Sequence, residues 1–293
     1  MLGYILTIAT FACIYALAIL GLNILTGYAK QVSLGHAAIF ALGAYSQALL
    51  ITKGGIPFFA SLILATLISA FIGTVFGLPS LRVSHDHLVL TTIGLNFIVV
   101  AIAEYFDFFG GALGIVGLKM PEIFGYVMTT REYLLLVTGI LFLALGICYA
   151  FSHTWAKLLM EAVGEDELPA MTLGINVAKI KLLAFAISSA LTGLAGALWA
   201  QYTGSVFPKS FGLELSVTML SMLVFGGMGT IKGALFGALF LYCLPEVFRF
   251  VQEYRMLVYG LLLATMVIRQ PAGIFGKGGM LEWQKIAKLL KVK

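Results

Sequence analysis

Long uninterrupted apolar runs constrain this chain more than any other feature. A helix needs about 20 mostly apolar residues to cross a bilayer, at roughly 1.5 Å of rise each. Stretches at 2–22, 57–78, 88–106, 133–151 and 181–203 meet that requirement. Four further stretches are candidates. One is 32–52, which holds Ser33, His36, Ser46 and Gln47, and another is 213–230, which opens near Glu214 and ends in Gly226-Gly227. The others are 233–250 and the shorter 256–268, whose length also suits a re-entrant or buried helix. The expectation is an all-α polytopic transmembrane helix bundle of about nine spans.

Composition removes the competing classes. Hydrophobic residues make up 61% of the 293 and charged residues 11%, with a mean hydropathy of +1.03. A soluble domain cannot hide that much apolar surface from water, and disordered chains are poor in apolar residues. Eighteen bases against thirteen acids are too few and too scattered for a nucleic-acid binder. Cys13, Cys148 and Cys243 lie far apart inside apolar runs, where thiols act as small hydrophobes. The first apolar stretch lacks a basic leader and reads as a retained span.

Basic residues orient the bundle. With the C-terminal tail in the cytoplasm, the loops at 23–31, 79–87, 152–180 and 231–232 fall on the same side. That side then carries twelve Lys and Arg and the other side six, a bias that follows the positive-inside rule. Residues 1–280 read as one membrane domain. In the tail, 281–293, Trp283, Ile286, Ala287 and Leu290 share one helical face while Lys285, Lys288 and Lys291 occupy the rest. That is the pattern of a helix lying in an interface, against membrane lipid.

The chain offers little chemistry of its own. It has no P-loop, HExxH, GxSxG or paired-carboxylate motif, so no catalytic residue, cofactor site or metal site is assigned. His85-Asp86-His87 in the 79–87 loop is a poor metal site, because two histidines at i, i+2 in a solvated turn rarely converge on one ion. Mid-span polar residues are neutral: Asn23, Thr26, Thr91, Thr92, Asn96, Ser188, Ser189 and Thr192. Such a lining suits a neutral or zwitterionic solute and disfavours an ion-coupled secondary carrier, which would place acids at mid-depth. Asn23, Gln31, Ser33, His36, Thr92 and Asn96 are the candidates for a translocation path. The longest cytoplasmic segment, 153–180, holds a short amphipathic helix with Pro169 in its first turn and Gly174 as its C-terminal cap. A helix of that kind is a docking surface.

The run Glu167-Leu168-Pro169-Ala170-Met171-Thr172-Leu173-Gly174-Ile175-Asn176, with Lys181-Leu182-Leu183-Ala184-Phe185 after it, resembles the coupling loop of permeases in branched-chain amino-acid ABC importers. Gly21-Leu22-Asn23-Ile24-Leu25-Thr26-Gly27-Tyr28 and Gln31-Val32-Ser33-Leu34-Gly35-His36-Ala37-Ala38 resemble that family's opening motif, in the second of its two permease types. Pro208-Lys209-Ser210-Phe211-Gly212, Phe225-Gly226-Gly227-Met228-Gly229-Thr230 and Gln270-Pro271-Ala272-Gly273-Ile274 resemble its C-terminal half. The sequence departs from the family at Pro169, where alanine is usual, and at Glu161 and Gly164, where the family is usually basic.

The resemblance implies an importer permease fold in a prokaryotic cytoplasmic membrane. Its implied partners are a homologous second permease, two cytoplasmic ATPases that bind ATP and Mg, and an extracytoplasmic solute-binding protein. It assigns ATPase coupling to Glu161, Ala162, Gly164, Glu165, Glu167, Leu168, Ala170, Leu173, Gly174 and Ile175. The implied cargo is Leu, Ile or Val; relatives also carry urea, short amides and nucleosides.

Overall fold

The computed structural model describes residues 2–83, 85–123, 126–247, 260–261, 264–265 and 273–276. The apolar runs become helices α1 (Leu2–Leu22), α2 (His36–Thr52), α3 (Phe58–Phe76), α4 (His85–Tyr105), α5 (Thr130–Ser152), α8 (Val177–Thr203), α9 (Leu213–Gly226) and α10 (Ile231–Val247). Between α5 and α8 lie two short helices, α6 (Trp155–Glu165) and α7 (Glu167–Thr172). Among the described residues, six helical segments are long and apolar enough to cross a membrane, and α2 and α10 supply two shorter apolar ones. The expected ninth span at 256–268 falls largely outside the described residues, and the tail at 281–293 wholly so.

Several boundaries differ from the sequence reading. The stretch 32–52 is helical only from His36, because α1 runs on through a π-helical turn (Asn23–Tyr28) and the chain then crosses irregularly to Gly35. Helix α4 starts at His85, so His85-Asp86-His87 form its first turn and not a loop. Helix α8 begins at Val177, which shortens the coupling segment to 153–176 and gives it two helices where one was expected. Helix α9 ends at Gly226, since Gly227 has φ +118°. Small antiparallel pairs also interrupt the all-helical expectation: β1 (Ile115–Val116) with β4 (Ser205–Val206), and β2 (Glu122–Ile123) with β3 (Tyr126–Val127).

Long-range bonds sort the loops into two ends. At one end Lys53 Nζ donates to the Phe108 carbonyl at 2.7 Å, and β1 pairs with β4. At the other, Lys30 pairs with Glu165 at 2.7 Å, Lys181 donates to the Ser80 carbonyl at 3.1 Å, and the Gly229 N–H donates to Asn23 Oδ1 at 2.8 Å. The described loops therefore fall into two groups, one at each end of the bundle.

Helix α8 is the axis of the bundle, packed against α1, α2 and α3. It contacts them through small residues. A Cβ on Gly43 of α2 would overlap the Gly193 carbonyl, and one on Gly196 would overlap that of Phe40. Gly73 of α3 lies in the same way against Ser189. Lipid tails are as apolar as leucine, so helices in a membrane gain cohesion by close backbone approach. Gly43→Ala is expected to lose about 1–3 kcal/mol by overpacking. Gly146→Ala, with nothing within 4 Å of the added carbon, is the neutral control. Thermal unfolding of the two variants in detergent, compared with the parent, checks this.

Candidate functional site

Two places concentrate the residues singled out by sequence. The first is the segment 153–176. Asp166 caps α7, its Oδ1 accepting the Leu168 N–H at 3.0 Å. The helix closes as a Schellman motif: Gly174 N–H donates to the Met171 carbonyl at 3.0 Å and Ile175 N–H to the Ala170 carbonyl at 3.1 Å. Gly174 takes φ +80°, the left-handed conformation that the motif requires. Ile175 then packs with Val163, Ala170 and Val177 into a small apolar cluster of its own.

The candidate coupling residues divide by this geometry. Ala170 and Gly164 are buried and Ile175 is half-buried, and they position the segment. A Cβ on Gly164 would come within 2.9 Å of the Ala29 carbonyl, so α6 sits directly on the end of the π-helical turn. That close approach accounts for a glycine where a basic residue is usual. Glu161 pairs with Lys157 at 3.4 Å, Glu165 with Lys30, and Glu167 with Lys181. Ala162, Leu168, Leu173 and Gly174 face outward, Leu168 at 74% and Leu173 at 79% exposure. Met171 joins them, so α7 holds an apolar face away from the bundle.

The second place is the buried start of α2. Its first amides would lack partners in lipid, and hydroxyls from other elements satisfy them. Leu34 N–H donates to Thr92 Oγ1 of α4 at 3.1 Å, Gly35 N–H to Ser33 Oγ at 3.2 Å, and Ala37 N–H to Ser216 Oγ of α9 at 3.0 Å. His36 bridges the same group, with Nδ1 3.2 Å from Ser33 Oγ and Nε2 2.8 Å from Ser188 Oγ of α8. Ser33, His36 and Thr92 of the predicted path thus come together at one junction of four helices.

Asn96 stands one turn beyond Thr92 on the same side of α4, fully buried, and neither of its amide atoms bonds to a described protein group. Gln31 is likewise buried, and neither of its amide atoms bonds to a described protein group. Asn23 lies elsewhere, holding the turn at 229 through its Oδ1. Above the junction Phe40, Trp199 and Phe211 form a ring cluster with centroids 5.4–6.2 Å apart, and Tyr45 joins it through Phe211. Gln47 and Gln201 lie further out, Gln201 donating to the Lys119 carbonyl.

Sequence reasoning missed Ser216 and the lysines that pair with the coupling-segment acids. A basic residue placed just inside a span was the available signal for Lys181.

A bundle of apolar helices, neutral polar at its centre and with an exposed apolar face on one loop helix, defines a multi-pass membrane protein of the permease class. Residues 4–267 match the family described as the permease component of branched-chain amino-acid transport systems, and the chain belongs to that family. It is 34% identical over 292 residues to the high-affinity branched-chain amino-acid transport permease LivM of Salmonella typhimurium, covering 91% of this chain and 69% of the relative. To the LivH permease of the same organism it is 26% identical over 296 residues, covering 92% and 93%. A probable LivM of Methanocaldococcus jannaschii is 24% identical over 233 residues, covering 73% and 67%. The higher identity to LivM agrees with the second permease type. No solved structure matches the chain.

Gly174 tests the coupling segment. Nothing lies within 4 Å of an added Cβ there, so a substitution meets strain in the backbone alone. Gly174→Val is expected to cost roughly 1–2 kcal/mol locally, which unlocks the end of α7 while the bundle keeps its helicity. Proteolysis within 165–180 should speed up, with an unchanged circular dichroism spectrum.

Proposed function

We propose that the chain is a transmembrane subunit of an ATP-driven importer that receives its solute from an extracytoplasmic binding protein. The observation that carries this reading is the apolar face of α7: Leu168, Met171 and Leu173 exposed on a helix fixed at both ends. Exposed leucines on a rigid loop helix are the chemistry of a docking knob. Two ATPase subunits would hold ATP and Mg and supply the hydrolysis. This subunit then acts as gate and lever, in complex with a second, homologous permease.

The coupling segment lies in the cytoplasm in this reading, with the C-terminus on the same side and the protein in a prokaryotic cytoplasmic membrane. The twelve-to-six excess of basic residues supports that orientation. The cargo is Leu, Ile or Val, in keeping with the branched-chain amino acids named for the relatives. A junction built from hydroxyls, an imidazole and amides suits a zwitterion that must pass without being held tightly.

The path in this subunit runs by Ser33, His36, Thr92 and Asn96, closed on the outer side by Phe40, Trp199 and Phe211. Polar groups in a bilayer need partners, and a passing solute or its water gives Asn96 and Gln31 theirs. ATP-driven closure of the ATPases pushes on α7 and rocks the helices around this junction, opening it to each side in turn.

Reconstitution with both ATPases, the second permease and binding protein loaded with Leu, Ile, Val, urea or acetamide tests the whole reading. ATP hydrolysis should be stimulated by the branched amino acids, and uptake should survive an uncoupler but not ATP depletion. Stimulation by urea or acetamide would reassign the cargo, and uncoupler sensitivity would point to an ion-coupled carrier. Asn96→Leu removes a buried amide without a protein partner, so it is expected to raise stability by about 1–3 kcal/mol. It should at the same time lower uptake, a pairing that thermal unfolding and transport assays on one preparation would reveal.

A further inference from the structure

Lys181 lies near the start of α8, only 4% exposed. A lysine ammonium so placed needs both a counter-charge and hydrogen-bond acceptors. It has them from two other elements. Its Nζ lies 2.5 Å from Glu167 Oε1, on the first residue of α7, and donates to the Ser80 carbonyl at 3.1 Å, just beyond the end of α3. Ser80 is itself buried and bonds back to the Gly77 carbonyl at 2.6 Å, and Gly77 lies against the ring of Phe185 on α8. One side chain therefore joins the docking helix, the end of α3 and the base of α8.

The other two ion pairs of the segment differ from this one. Lys30–Glu165 is half-exposed or more on both sides, and Lys157–Glu161 lies within α6 at i, i+4. The exposed pair holds little and slides easily in water, and a pair within one helix joins no second element. In the Lys181–Glu167 pair the lysine side chain is 5% exposed and the glutamate 30%, so parting them strands the lysine's charge in a poor solvent. Seven residues up the same face of α8, two turns away, Ser188 holds His36 at the α2 junction. Force applied to α7 reaches that junction through α8 without crossing a flexible loop.

We infer that Lys181, clamped between Glu167 and the Ser80 carbonyl, is the positioning residue that transmits movement of the docking helix to α8 and α3. The inference rests on the reading of α7 as the ATPase docking face. It separates the two tasks of the segment: the exposed leucines bind the ATPase, and the buried lysine converts that binding into motion of the bundle.

The test uses the reconstituted four-component complex and reads three quantities: ATPase retained on purification, ATP hydrolysis stimulated by loaded binding protein, and solute taken up per ATP. Lys181→Met should keep the ATPase bound and its basal hydrolysis intact, and Glu167→Gln is read for uptake per ATP. Uptake per ATP should fall about fivefold or more, the lower end of usual coupling between distant sites. Because both variants cut one connection, the double variant should be no worse than either alone, and Lys181→Arg should retain most of the coupling.

Normal uptake per ATP in Glu167→Gln, or losses that add in the double variant, would overturn the inference. Glu167→Gln preserves shape and decides the matter even if Lys181→Met does not assemble. Leu168→Asp combined with Leu173→Asp tests the docking reading separately. If that variant keeps its ATPase, the docking face is misplaced. If it loses the ATPase while Glu167→Gln couples normally, the clamp alone is wrong.

Discussion

Helix α8 meets α1, α2 and α3 at backbone distance, and the rest of the molecule is arranged around those contacts. They occur where Gly21, Gly43, Gly73, Gly193 and Gly196 leave no side chain in the way. In water an interface this tight would be one contribution among many, with apolar burial doing most of the work. In a bilayer the apolar term between helices is nearly absent, so dispersion at close range and a few polar bonds must hold the bundle. The same closeness brings Ser188 to His36 and places the buried start of α2 among the hydroxyls of three other helices.

The attachment of the segment between α5 and α8 follows from that axis. Helix α8 is longer than a bilayer needs, 27 residues, and its first turns extend into the loop region. There it offers Val177 to the apolar cluster under α7 and Lys181 to Glu167. Helix α7 is short, with too few turns to be stable alone. It persists because Asp166 and the Gly174 motif satisfy its ends and because α8 supports it from beneath. Its outer face is left apolar, and that is the property a partner protein can use.

Much of this was legible from sequence. The spans were, because transfer of a 20-residue apolar run is a local sum. The Gly174 cap was also legible, since a left-handed residue after a short capped helix is set by neighbours in the chain. The starts of α2 and α4 were less so. Residues 32–35 are apolar enough to continue a span, yet Thr26 Oγ1 bonds the Gln31 carbonyl and Thr92 takes the Leu34 amide, which holds them irregular. Nothing in the local pattern indicates either bond.

Sequence by itself determined the solvent, the confident apolar crossings, the excess of Lys and Arg on one set of loops, and the capped segment between α5 and α8. Each is a short-range property: apolar transfer, charge per loop, or the conformational preference of one residue. Tertiary structure decided the partners. Asn23 finds the Gly229 amide 206 residues away, Lys181 finds Glu167 and Ser80, and Asn96 is buried with no partner at all among the described residues. These depend on which small residues let which helices close, and that is fixed only when all the backbones approach together. A glycine in the sequence permits contact on any side, and the packed bundle selects the one it makes.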